Sequence, residues 1–332
     1  MKARRRHASA SRSGPASLGV LRRTALACRR RYGRRRGVLD VGVGVRYRGG
    51  RRRDGELCVQ LCVRRKLRRP GAGRLPRFVY ARRRDGTPDR RRRVPTDVVV
   101  VRDARFACAA GARLDAAGET GTLTLLFRSR PDGATCLLTC AHVAGSLAHS
   151  PPTDPRLGSR CCPGGRFART VAQSVASRGT VDWDVALARL EARCTPQREL
   201  RVEGSPRPLR RLRATDAIHP GDRVACATAR SGRLAGAVAS DARSLRVRLG
   251  RVVYRVRNLF LLDARPRPGD SGGLVLDADE AVGILVAVAG GDAPGRVGWG
   301  LFQPLAGAIA HLEERCGFPL RIFGRRRRRG GS

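Results

Sequence analysis

Residues 267–277 read RPGDSGGLVLD, and this stretch constrains the fold more than any other. Glycines stand two before Ser271 and at both positions after it, so the backbone here can turn tightly and a partner can approach closely. Gly269 can turn its N–H toward a carbonyl oxygen, and the Ser271 N–H can join it as an oxyanion hole for a tetrahedral intermediate. Downstream, GLVLD (273–277) and AVGILVAVA (281–289) read as two short strands with a turn between them. A serine in such a turn becomes a nucleophile only with a base to take its proton and an acid to fix the base's tautomer.

Upstream, two segments supply those groups. LLTCAHVAG (137–145) closes an apolar strand on His142, and DWDVALARL (182–190) carries Asp182 and Asp184 ahead of another. The remaining histidines, His7, His149, His219 and His311, lack that setting.

In order, the three segments resemble the T-A-A-H, D-I-A-L and G-D-S-G-G motifs of the chymotrypsin/trypsin-like peptidases, with gaps of similar length. The order His, Asp, Ser differs from that of subtilisins and of α/β-hydrolases. The resemblance implies an all-β fold of two antiparallel β-barrels with the active site between them. His142 and Asp184 would come from the first barrel and Ser271 from the second, as a catalytic triad. The D-V-A-L match favours Asp184 over Asp182, and the Gly269 and Ser271 amides would form the oxyanion hole. The implied activity is that of a serine endopeptidase acting on protein or peptide through an acyl-enzyme, with no cofactor and no metal. A second reading stays open: a trypsin-fold protein that binds peptides or polyanions with weak or no peptidase activity.

The resemblance extends further. VACATARSGRLAGAV (224–238) is similar to the start of the second barrel in bacterial trypsin-like proteins. VGILVAVAGG (282–291) is similar to the strand that pairs with substrate backbone, which implies substrate-binding roles for Val286 and Val288. Arg265, six positions before the nucleophile, falls where the family has the base of its primary specificity pocket. A buried charge there would repel cationic side chains; alternatively, the two prolines of ARPRPGD turn Arg265 into solvent. Two departures stand out. No I-V-G-G start follows a processing site, so Asp270 has no new N-terminal amine to pair with, and Val143 replaces the cysteine that often closes the histidine loop.

Around this centre, short strands dominate from Arg105 onward: TLTLLF (122–127), TCLLTC (135–140), VALARL (185–190), RVACAT (223–228), LRVRL (245–249), VVYRV (252–256) and LFLLDA (259–264). PLAGAIAHLEER (304–315) alone has helical spacing, with Pro304 at its start and Gly317 beyond its end. The expected organisation is a basic flexible arm over 1–36, a lead-in hairpin (38–66) and basic loop over 37–104, with a strand beginning at PTDVVVV (95–101). A first barrel over 105–200 and a second with its terminal helix over 201–317 follow, then a basic tail over 318–332.

The 332 residues carry a net charge of +42, nearly all of it arginine, since Lys2 and Lys66 are the only lysines. The arginine-rich arm and tail offer an affinity for nucleic acid or another polyanion. A GC-rich genome, whose codons favour Arg, Ala and Gly, explains the same excess, and the runs lack the aromatics of a base-stacking surface. Eleven cysteines, an odd number without repeated spacing, argue against a disulfide framework and read as small buried thiols. Cys58/Cys62 and Cys136/Cys140 lack the spacing of structural zinc knuckles. Arg22 and Arg23 interrupt the apolar stretch a signal peptide needs, and no run is long enough for a spanning helix. Cytoplasmic residence is expected, in keeping with unpaired thiols.

Overall fold

The computed structural model describes residues 16–33, 35, 37–48, 51–63, 76–100, 104–106, 112–116, 119–144, 147, 156–159, 166–190, 209, 211–228, 230–249, 251–290 and 298–322. Residues 18–32 form a helix, α1 (Leu18–Tyr32). Leu21, Ala25, Cys28 and Tyr32 recur at steps of four, three and four, one stripe of a helix. That stripe is buried against Val41, Val43, Val59, Leu61, Ala81 and Val94. Arg29 reaches Asp40 at 3.0 Å. The flexible arm expected over 1–36 is corrected for these residues: the stripe never forms a continuous apolar run, and the sheet beneath it supplies the stability its own composition lacks. Residues 1–15 lie outside the described residues.

The expected hairpin is present as β1 (Val38–Arg48) and β2 (Arg51–Val63), paired antiparallel from Val38↔Val63 to Arg48↔Arg51. The basic loop expected to follow is corrected in part, because β3 (Phe78–Arg82) pairs with β4 (Pro88–Val100), which also carries the expected PTDVVV strand. Val79, Ala81 and Val94 turn toward α1 while Arg90, Arg91 and Arg93 are exposed, so a buried apolar face makes strand of a stretch whose charge reads as loop. A three-residue strand, β5 (Ala104–Phe106), follows.

The first barrel contains β6 (Ala112–Ala116), β7 (Glu119–Leu123), β8 (Leu125–Ser129), β9 (Thr135–Thr139), the single turn α2 (Ala141–Ala144), β10 (Arg156–Ser159), β11 (Arg166–Gln173), β12 (Thr180–Val181) and β13 (Ala186–Leu190). Of these strands, all but β12 join one antiparallel sheet in the order β8-β9-β13-β11-β10-β6-β7. The Thr124 amide just beyond β7 donates to Leu138 O of β9 at 2.8 Å, so the far end of the sheet curls back on itself. Leu125, Phe127, Leu137, Leu138 and Leu187 are fully buried within it.

After β14 (Arg211–Leu212), the second barrel closes outright. Its strands are β15 (Arg223–Thr228), β16 (Gly232–Leu249), β17 (Val252–Leu262), β18 (Leu274–Asp277), β19 (Glu280–Ala289) and β20 (Trp299–Pro304). Each pairs antiparallel with the next around the ring β15-β16-β17-β20-β19-β18-β15. Val224, Val238, Phe260, Leu262, Val275, Leu285 and Phe302 belong to a buried cluster of these strands, with Phe260 and Phe302 stacked at 5.3 Å. The N-terminal hairpin joins this barrel where Gly44 of β1 pairs with Ser240 of β16; a Cβ on Gly44 would meet Ala239 O at 2.7 Å. The terminal helix is α3 (Leu305–Cys316), ending on Gly317 in the left-handed region at φ 75°. Residues 320–322 correct the expected tail: they form β21 (Leu320–Ile322) on the edge of β8. No helix among the described residues is long and apolar enough to cross a membrane.

Candidate active site

β9 ends at Thr139, and the single turn of α2 that follows carries His142 into the interior. The bend before β13 brings Asp184 to it: Nδ1 lies 2.5 Å from Asp184 Oδ2, and the His142 amide donates to Oδ1 at 3.1 Å. Both side chains are fully buried. Asp182 is exposed instead and pairs with Arg257 at 3.1 Å. With Nδ1 turned to a carboxylate, Nε2 becomes the nitrogen that can accept a proton from a neighbour.

The acid is held from the second barrel. Buried Gln303 accepts from the Asp184 amide at 2.8 Å through Oε1, and its Nε2 donates to the carbonyls of Asp182 (2.9 Å) and Arg257 (2.8 Å). One side chain thereby fixes both ends of the 182–184 turn. Trp183 between them lies over Gly307 of α3, where a Cβ would come within 2.2 Å of its ring.

Ser271 lies in the loop before β18, fully buried, with its hydroxyl donating to the Val286 carbonyl at 2.8 Å. Gly269 takes φ 105° and Gly272 φ 87°, conformations that favour glycine. A Cβ on Gly272 would meet Thr122 O at 2.7 Å, and Thr124 Oγ1 donates to Gly272 O at 2.9 Å, so the first barrel's wall braces the second barrel's loop. Neither the Gly269 nor the Ser271 amide donates to a backbone carbonyl among the described residues.

Asp270 is fully buried between those two residues. Its carboxylate accepts from Ser231 Oγ (2.6 Å), from the Ser231 amide (3.1 Å) and from the Arg267 amide (2.7 Å). Arg230 adds a bond to Pro268 O at 2.7 Å. The β15–β16 turn thus supplies two of the three hydrogen bonds that hold the Asp270 carboxylate.

Leu285 O is where the two halves meet, accepting the Gly272 amide at 2.6 Å and the Cys140 thiol at 3.4 Å. Cys140 Sγ, an imidazole nitrogen and an Asp184 oxygen lie within 4.8 Å of one another, a set that could hold a metal ion. The 2.5 Å bond between His142 and Asp184 already uses the ring nitrogen facing the carboxylate, which suits a hydrogen-bonded pair better than ligands spread around an ion. Cys28, Cys58, Cys62, Cys136, Cys140 and Cys226 are buried free thiols, and Cys316 is a half-buried one. Burial pushes Cys58 up to about 12 and Cys62 and Cys136 up to about 11.

Val286 and Val288 both lie on β19, and the carbonyl of Val286 touches Ser271. Arg265 is exposed, which matches the reading in which the prolines turn it into solvent and not that of a buried charge at the base of a pocket. Exposed Arg267 and Pro268 share this proline-bearing loop. Sequence reasoning missed Gln303, Ser231 and Thr124. Only Gln303 left a trace, as a polar residue inside the apolar strand WGLFQP.

Residues 121–288, half of the chain, match the trypsin-like peptidase domain. No curated protein matches the chain significantly. Similar solved structures include a glutamic acid specific serine protease, 16% identical with a TM-score of 0.47, covering 64% of this chain and 99% of that one. Thermobifida fusca protease A is 21% identical with a TM-score of 0.45 (65% and 99% covered), and Cellulomonas bogoriensis chymotrypsin 19% identical with 0.43 (65% and 98%). By the extent of the domain match, the chain belongs to the trypsin-like peptidase family.

Proposed function

We propose that the chain is a serine endopeptidase in which Ser271 is the nucleophile, His142 the base, Asp184 the acid that orients it, and the Gly269 and Ser271 amides the oxyanion hole. The observation that carries this reading is the buried His142–Asp184 pair, whose 2.5 Å bond directs Nε2 away from the carboxylate. In the reaction, the Ser271 hydroxyl turns from Val286 to His142, gives its proton to Nε2 and attacks the scissile carbonyl. The oxyanion is received by the two amides, and the imidazolium, steadied by Asp184, returns the proton to the leaving amine. Water then attacks the acyl-Ser271 ester by the same route, releasing the carboxylic acid and restoring the hydroxyl. Because Asp270 is already bonded to Ser231 and Arg267, the loop needs no new amine to hold its shape.

The test is hydrolysis of extended fluorogenic peptides by the full chain. Ser271→Ala and His142→Ala should each lower kcat by about three orders of magnitude or more with the fold retained by circular dichroism. Turnover unchanged in either variant would overturn the assignment. The buried thiols support the proposal of a reducing, cytoplasmic compartment. Polyanion binding rests on composition: the arginine runs at 4–6 and 325–329 lie outside the described residues.

A further inference from the structure

One edge of β19 is bonded in three consecutive stretches by three different parts of the chain. From Glu280 to Ile284 it pairs with β18. At Leu285 and Val286 the partners are the loop residues themselves: Leu285 exchanges bonds with Gly273 O and the Gly272 amide, and Val286 O takes the Ser271 hydroxyl. From Ala287 to Ala289 the partner is β5, with Ala287↔Phe106, Val288↔Arg105 and Ala289↔Ala104. The opposite edge over Ala287–Ala289 is taken by β20 through Leu301, Gly300 and Trp299.

The direction of β5 matters. It runs antiparallel to β19, so from Ala104 to Phe106 it advances from Ala289 toward Val286, and hence toward Ser271. An acyl donor must arrive in this sense: the residues before its scissile bond add to the strand edge, and the carbonyl at their C-terminal end comes to the serine. An extended peptide adding here would gain its affinity from main-chain hydrogen bonds to Ala287–Ala289. Those positions are already paired with residues 104–106.

We infer that β5 is an intramolecular occupant of the substrate strand, an autoinhibitory contact in which residues 104–106 stand where the acyl side of a peptide substrate would bind. The inference rests on the reading of Ser271 as nucleophile. A tethered occupant acts at an effective concentration of about millimolar, so a free peptide competes at a disadvantage. Apparent affinity is then lowered by the fraction of molecules in which the edge is open. β5 is three residues long and, among the described residues, its other side is held by the parallel pairs Val247↔Ala104 and Arg248↔Arg105, so its displacement leaves the closed ring of the second barrel untouched.

The experiment compares two readouts on the full chain: labelling by a small fluorophosphonate, which needs Ser271 but no strand edge, and kcat/KM for an extended peptide, which needs both. The variant Arg105→Pro/Phe106→Pro removes consecutive amides, which face opposite sides of a strand, so pairing to β19 is broken whichever one serves it. It should raise kcat/KM at least about tenfold, chiefly through KM, with the labelling rate unchanged. A second variant covers failure of the first to fold: Arg105→Cys/Val288→Cys places cysteines at directly paired positions, within the span of a disulfide. Oxidised, it should lose peptide hydrolysis while still labelling; reduced by dithiothreitol, it should regain hydrolysis, and neither single variant should respond. Undiminished turnover by the oxidised double cysteine variant, or a folded double proline variant with unchanged or lower kcat/KM, would overturn the inference and leave β5 a structural strand. A chain that never labels would overturn the reading of Ser271 and this inference with it.

Discussion

The Ser271 hydroxyl donates to the Val286 carbonyl at 2.8 Å, which ties the proposed nucleophile to the strand expected to carry substrate. In the proposed reaction that hydroxyl leaves Val286 for His142. His142, Asp184 and the loop before Ser271 are each held by different residues, so each can be loosened separately.

The first such separation is between the two aspartates of DWD. Asp184→Asn should lower kcat by about 10⁴-fold, because an amide beside Nδ1 no longer fixes the tautomer. Asp182→Asn should change it less than about threefold, since that carboxylate is exposed and bonded to Arg257. Steady-state kinetics on both variants checks this, and equal losses would contradict the assignment of the acid.

Gln303 positions Asp184 without touching the imidazole. Gln303→Leu leaves the Asp184 amide and the carbonyls of Asp182 and Arg257 without their buried partner, each loss costing about 1 kcal/mol. The expected result is a fall in kcat of about ten- to a hundredfold together with a lower Tm. Unchanged kcat in a destabilised variant would make Gln303 a structural residue only.

Ser231 gives Asp270 two of its three bonds. Ser231→Ala removes the hydroxyl, a hydrogen bond to a charged group worth about 1.5–3 kcal/mol, and should lower kcat about ten- to a hundredfold with KM little changed. Ser231→Thr, which keeps the hydroxyl, should restore much of it. Equal losses in both variants, matched by equal losses of Tm, would show that the turn contributes stability alone.

What the sequence disclosed and what it hid divide along a physical line. The strands at 223–228, 273–277 and 281–289, the motifs around His142, Asp184 and Ser271, and the α3 ending at Gly317 are local patterns of alternation, glycine and proline, and they were legible. α1 was not, because its apolar stripe is thin and depends on the sheet it covers. VVYRV and LFLLDA read as two strands but form the single β17, continuous through Asn258 at φ 55°. Gln303 and Ser231 act on residues far away in sequence, and no local pattern announces such pairs. The direction of the Arg265 side chain depends on how the proline-bearing loop is built, which motif position does not carry.

Burial sets a pH dependence of stability. Cys28, Cys62 and Cys136 are raised from 9.0 to about 11 and Cys58 to about 12, in each case chiefly by desolvation of the thiolate. Above about pH 9 the unfolded chain releases these protons while the folded chain retains them, so stability falls as pH rises, by about 1.4 kcal/mol per thiol per unit until the folded value is reached. Tm measured from about pH 8 to 10.5 should decline, and Cys58→Ala should flatten the slope. A level profile would contradict the raised thiols.

Covalent labelling of the full chain with a fluorophosphonate, located by peptide mass spectrometry, tests the proposed nucleophile most directly. One adduct per chain is expected, on Ser271, its formation slowed about a thousandfold or more by His142→Ala and abolished by Ser271→Ala. An adduct on any other residue, or labelling that persists in Ser271→Ala, would contradict it.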